Sequence, residues 1–123
     1  MSIKAASGYS LNRIVKLAVE EALEPIFSIF GESKISLIFV FAGVSYDQEQ
    51  MLNELVSRLP ETQIVGCSGE GVIFNGGSSE SSFSLSLTAM SIDNALIKPF
   101  IYENISSSSI ESGKLINAIV KDS

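Results

Sequence analysis

Residues 37–42, Leu-Ile-Phe-Val-Phe-Ala, form an unbroken apolar run well inside the chain. The run is far too short to cross a bilayer and lacks the polar alternation of a strand with one wet face. Residues 35–42 therefore read as a central strand covered on both faces. The next twenty-five or so residues narrow the topology. Ser45 and Gln48 make a Ser-x-x-Gln capping pair, and Leu52, Leu55, Val56 and Leu59 repeat at helical spacing until Pro60 stops them. Residues 63–67, Gln-Ile-Val-Gly-Cys, are a second, shorter apolar strand. Strand, helix and strand in this order predict a βαβ unit with parallel strands.

An earlier helix is expected from about Leu11 or Asn12, with Leu11, Val15, Ala18 and Ala22 on its buried stripe and Glu20, Glu21 and Glu24 in water. Pro25 should kink it, because proline removes an interior N–H, and Ile26, Ile29 and Phe30 continue the stripe to Gly31. Beyond the βαβ unit the period changes. Phe83, Leu85, Leu87 and Ala89 alternate with Ser82, Ser84, Ser86 and Thr88, the mark of a strand with one buried and one hydroxyl-lined face. Residues 96–102 should return as its antiparallel partner, with Pro99 at an edge or bulge. A short strand at 72–74 and the turn Asn75-Gly76-Gly77 precede the pair. Ser108 and Glu111 form another capping pair ahead of Ile116, Ile119 and Val120. The fold class is thus mixed α/β: a βαβ unit with central parallel strands, then an antiparallel meander and a C-terminal helix.

At 123 residues the chain makes one domain, with apolar residues at 46% supplying a core. A net charge of −6, with eight scattered basic residues, argues against nucleic acid or a membrane surface as partner. Absence of histidine removes Ser-His-Asp and Cys-His catalysis and His-ligated metals. The single cysteine, Cys67, forms neither an internal disulfide nor a thiolate zinc site. No enzyme, metal or cofactor is expected. The cysteine usage and a start without a signal-peptide core fit a cytoplasmic protein.

Chemistry concentrates in two loops that come after strands. One is Gly43-Val44-Ser45-Tyr46-Asp47; the other is Gly66-Cys67-Ser68-Gly69-Glu70-Gly71. In open α/β sheets ligands lie beyond the carboxyl ends of the strands, where these loops should be neighbours. Glycine amides and a helix start suit an anionic group, and Ser45, Tyr46 and Ser68 offer hydroxyls. Plainer roles account for the same residues: Ser45 as a helix cap, Asp47 as a partner of the helix dipole, the glycines as turn formers. Gly-x-x-Gly-x-Gly with strands after it is neither a dinucleotide fingerprint nor a P-loop. Cys67 has no sequence neighbour to depress its thiol and reads as a small buried apolar residue. Glu70 fits either a ligand amine or a solvated loop.

The ordered set of pieces resembles the N-terminal FIST domain of F-box and intracellular signal transduction proteins. It comprises residues 37–42, Tyr46-Asp47, Arg58-Leu59-Pro60, Ile64-Val65-Gly66-Cys67-Ser68 and Glu70-Gly71. Gly8-Tyr9-Ser10 ahead of an Ala/Glu-rich helix fits as well, so the resemblance spans most of the chain. It implies a non-enzymatic sensory module that binds small ligands, amino acids among them. By position, Gly66, Cys67 and Ser68 match the family's core motif. Many members read Thr-Ala-Gly-Glu after the serine, where Gly69, Glu70, Gly71 and Val72 stand here. The family domain is usually longer and precedes a C-terminal partner domain, so the resemblance implies a single, minimal domain incomplete at its C-terminus. A second copy is then expected against its open strand edges, and a C-terminal FIST partner domain or a signalling output domain within a longer protein. The alternative left open is a protein-interaction module without a pocket, using an open edge or the serine-lined face of residues 82–90.

Overall fold

The computed structural model describes residues 2–107 and 109–122. In chain order its elements are β1 (Ile3–Ser10), α1 (Val15–Phe30), β2 (Leu37–Gly43), α2 (Gln48–Arg58), β3 (Gln63–Gly69), β4 (Val72–Phe74), β5 (Gly77–Ser79) and β6 (Leu85–Ile92). A 3₁₀ turn at Ile105–Ser107 and α3 (Ser109–Lys121) complete the chain. One sheet runs β1-β6-β2-β3, and β4 and β5 form a separate hairpin. β2 and β3 are parallel, as the βαβ pattern predicts, and β6 is antiparallel to both β1 and β2.

Register builds the core. Ala6, Ala89 and Ile38 lie side by side across three strands, as do Gly8, Leu87 and Val40. Together with Ala42 and Leu85 they floor a layer closed by α1 through Ala18, Ala22, Leu23, Ile26 and Phe30, and by α2 through Met51 and Leu55. Small residues let α1 sit close. A Cβ on Gly8 would come within 2.0 Å of the Ala22 carbonyl oxygen and 2.8 Å of the Pro25 ring. Pro25 is accommodated inside α1 without ending it. Its missing hydrogen bond is offset by the buried stripe continuing to Ile26 and Phe30 on the next turn.

The opposite face of the sheet is barer. The expectation that β2 is covered on both faces holds only for one, since Phe41 remains 43% exposed. The β4–β5 hairpin covers part of this side, with Phe74 stacked on Tyr9 at 4.0 Å between ring centroids. Its turn has Gly76 at φ 95°, a conformation glycine adopts without steric cost.

Several expected details are corrected. Helix α1 begins at Val15 rather than near Leu11, because Asn12 and Ser10 organise a turn first. The Ile14 N–H donates to Asn12 Oδ1 (3.0 Å) and the Asn12 N–H to Ser10 Oγ (3.1 Å). Leu11 and Ile29, assigned to the buried stripe, are exposed. On α2 the buried side is Met51 and Leu55, leaving Leu52 and Val56 half-exposed. Residues 96–102 form no strand; both edges of β6 are already taken by β1 and β2, so no ladder is left for them. Ser108 of the expected capping pair lies outside the described residues, while Glu111 forms an exposed ion pair with Lys114 (3.4 Å).

The end of β1 is tied to α1 by a carboxylate. Glu21 accepts from the Ser10 hydroxyl and from Asn12 Nδ2 (2.9 Å). The Ser10 bond first, then the Asn12 bond, hold its carboxyl below the usual glutamate range. A depressed folded value means stability that is present above the unfolded value, about 4.3, and lost as pH falls through the folded one. Urea titrations should therefore separate the parent from Glu21→Gln at pH 6, with the gap closing progressively as pH falls below about 4.3. A pH-independent gap between the two would refute the linkage.

A cleft between helix α2 and edge strand β3

The turn from β2 into α2 is strapped to the residues entering β6. The Gly43 N–H donates to the Ser84 carbonyl (2.7 Å) and the Ser45 N–H to the Ser82 carbonyl (3.1 Å). A Cβ on Gly43 would stand 2.1 Å from the Ser82 carbonyl oxygen, so the approach depends on glycine. This anchoring holds Ser45 too early to cap the helix. Asp47 is the cap instead, with extended backbone and Oδ1 accepting the Gln50 N–H at 2.9 Å.

Tyr46 points inward and is 4% exposed. Its hydroxyl donates to the Asn12 carbonyl, and its ring meets Phe83 edge-on at 5.3 Å. Burial first, then the charge on Glu21, push the phenol above its ordinary value, so it stays a neutral donor near pH 7. Gln48 closes the turn, its Nε2 donating to the carbonyls of Tyr46 (3.0 Å) and Gly43 (3.3 Å).

On the neighbouring strand, Gly66, Cys67 and Ser68 stand opposite Val40, Phe41 and Ala42, and Gly69 opposite Gly43. Parallel pairing thus brings the two glycine-containing loops out side by side at the same end of the sheet. β3 is the last strand of the sheet, and all three motif residues are exposed. Cys67 is accordingly an exposed free thiol rather than the buried residue expected of it. A Cβ on Gly66 would meet the Val40 carbonyl oxygen at 2.0 Å. Glycine is required there for β3 to lie against β2.

Between α2 and β3 lies a cleft of about 670 Å³. Its walls include Gly66, Cys67 and Ser68 with Ile64 from β3, Val40 and Ala42 from β2, and Gln48, Met51, Leu52 and Leu55 from α2. Pro99, Phe100 and Ile101 border it from the irregular segment after β6. The lining is largely hydrocarbon, with Gln48, Ser68 and Cys67 as its residues with polar side chains. Among the described residues, no charged side chain lines it. Of the residues singled out in the sequence, Gly66, Cys67 and Ser68 border the cleft. Ser45, Tyr46, Asp47, Glu70 and Gly71 lie in the adjoining loops and Gly69 is the last residue of β3, all outside its walls.

Sequence reasoning missed Gln48, read there only as a capping partner, and Pro99 to Ile101, read as a strand. Among the described residues no group of three His, Cys, Asp or Glu side chains could hold a metal, and no helix is long and apolar enough to cross a membrane.

The family model for the FIST N domain matches residues 36–122. The match begins just before β2, so β1 and α1 lie outside it although they pack into the same core. No curated protein and no solved structure matches the chain.

Proposed function

From the premise that this chain belongs to the FIST N domain family, whose members are sensory domains of signal transduction proteins, we propose that it binds a small ligand in the α2–β3 cleft. One observation carries the reading: Gly66-Cys67-Ser68, which lies inside the family-matched residues 36–122, borders a cleft of about 670 Å³. Small-molecule sites commonly span roughly 300–1,000 Å³ and combine apolar walls with a few convergent polar groups. Here Leu52, Leu55, Ile64 and Phe100 supply the walls. The Ser68 hydroxyl, the Gln48 amide and the outer backbone groups of an edge strand supply the polar contacts.

An amino acid with an aliphatic side chain suits this combination. Its carboxylate would take the Ser68 hydroxyl and strand amides, and its side chain the hydrocarbon floor. The role is binding rather than catalysis, since among the described residues nothing in the cleft serves as a general base with a matched nucleophile.

Isothermal titration of the purified chain with the twenty amino acids and short carboxylic acids tests the reading. A ligand at about 100 times its Kd should add about 2.7 kcal/mol to native stability, read as a raised Tm. Absence of both binding heat and Tm shift across the panel would remove the sensor reading. The second reading, a self-association module, draws on the exposure of residues 65–68 of β3 at the sheet edge. A stable dimer by light scattering, together with a silent ligand panel, would favour it.

A further inference from the structure

Gln48 stands on the cleft wall, and its hydrogen bonds define which end of its amide is engaged. Nε2 donates to two carbonyl oxygens, those of Tyr46 (3.0 Å) and Gly43 (3.3 Å). Both partners are acceptors only, so the amide nitrogen must face them and both of its hydrogens are consumed. The end left over is Oε1, a pure acceptor. Among the described residues no lysine or arginine lines the cleft, and Gln48 is flanked in the chain by Asp47 and Glu49. A carboxylate beside Gln48 Oε1 would meet an acceptor with no hydrogen to offer, whereas an N–H donor would find a partner.

We infer that Gln48 is the specificity-determining residue of the cleft and that it selects a ligand bearing a primary amine, held at Gln48 Oε1 with its aliphatic body along Leu52, Leu55 and Ile64. The inference rests on the cleft being the ligand site and goes further by naming the group that is recognised. It also orients an amino acid in the cleft, with the ammonium at the α2 end and the carboxylate along β3.

Three probes sharing one branched aliphatic body separate the groups: isoamylamine, 4-methylpentanoate and L-leucine, titrated by calorimetry into the full chain. Isoamylamine and L-leucine should bind at least about tenfold more tightly than 4-methylpentanoate, the range of one hydrogen bond to a charged group. Gln48→Met, which keeps the length and removes the acceptor, should bring that ratio close to one. Gln48→Lys, whose ammonium still donates to the Gly43 and Tyr46 carbonyls but offers no acceptor, should reverse it. It also decides the matter if Gln48→Met fails to fold by circular dichroism.

Equal or tighter binding of 4-methylpentanoate by the parent chain overturns the inference and leaves the cleft as a ligand site. An unchanged ratio in a folded Gln48 variant overturns it likewise. If neither these probes nor any amino acid binds, the cleft reading fails and the inference goes with it.

Discussion

Leu87→Ala should lower the unfolding free energy by about 4 kcal/mol, in the upper part of the range for buried leucines. Leu87 is 0% exposed and sits in the middle of β6, between Gly8 on β1 and Val40 on β2. The cost of such a truncation depends on how far neighbours collapse into the hole. Gly8 has no side chain to move, and Val40 is β-branched and stiff on its strand. Against a total stability of roughly 5–15 kcal/mol for a domain, the loss is large. Urea unfolding should show a lower midpoint at an unchanged slope. Ile101→Ala, at an 89% exposed position, is the control and should stay within about 0.5 kcal/mol of the parent. A Leu87→Ala loss below about 1 kcal/mol would mean that the sheet centre is not packed as described.

Gly66→Ala should cost about 3 kcal/mol and abolish ligand heat as well, because one glycine serves both the sheet and the cleft. The added methyl would lie 2.0 Å from the Val40 carbonyl oxygen, and both atoms belong to or are fixed by strand backbone. Relief requires β3 to draw away from β2, which moves the motif strand relative to α2. Gly113→Ala makes the opposite prediction. Gly113 lies inside α3 with nothing within 4 Å of a new Cβ. Alanine there should stabilise by roughly 0.5–1 kcal/mol through helix propensity alone. Wild-type stability in Gly66→Ala would refute the close approach of β3 to β2.

The parts of this fold that can be read from the chain are those whose period is written in hydropathy. The run at 37–42, the alternation at 83–89 and the Asn75-Gly76 turn each correspond to an observed element. β1 escapes such a reading because its inward positions are Ala6, Gly8 and Ser10, an alternation of small residues that hydropathy scales do not register. Residues 96–102 carry Leu96, Ile97, Phe100 and Ile101 and look like a strand locally. What they lack is a free ladder, which only topology reveals. The cap of α2 illustrates the same division. Ser45 and Asp47 are both good caps by type, and the choice falls to Asp47 through the Ser45 N–H bond to Ser82, far along the chain.

At the site, glycines beside a strand end point to Gly66, Cys67 and Ser68. The orientation of the Gln48 amide is not legible in the chain, because it depends on two carbonyls that its Nε2 meets in the fold. Tyr46 matches a motif position, but its hydroxyl is committed to Asn12 and its ring to the core.

The placement of β6 has a consequence for biosynthesis. It is the last strand in sequence yet lies between β1 and β2, and β1 has no other mate in the sheet among the described residues. As the nascent chain leaves the ribosome amino-terminus first, β1 must wait until Leu85–Ile92 has emerged before it finds its neighbour. Sheet assembly is therefore a late, concerted event with long loops to close, which sets a slow folding rate. Until then β1 and one side of β2 are open to other chains, and protection by a holding chaperone would matter most in that interval.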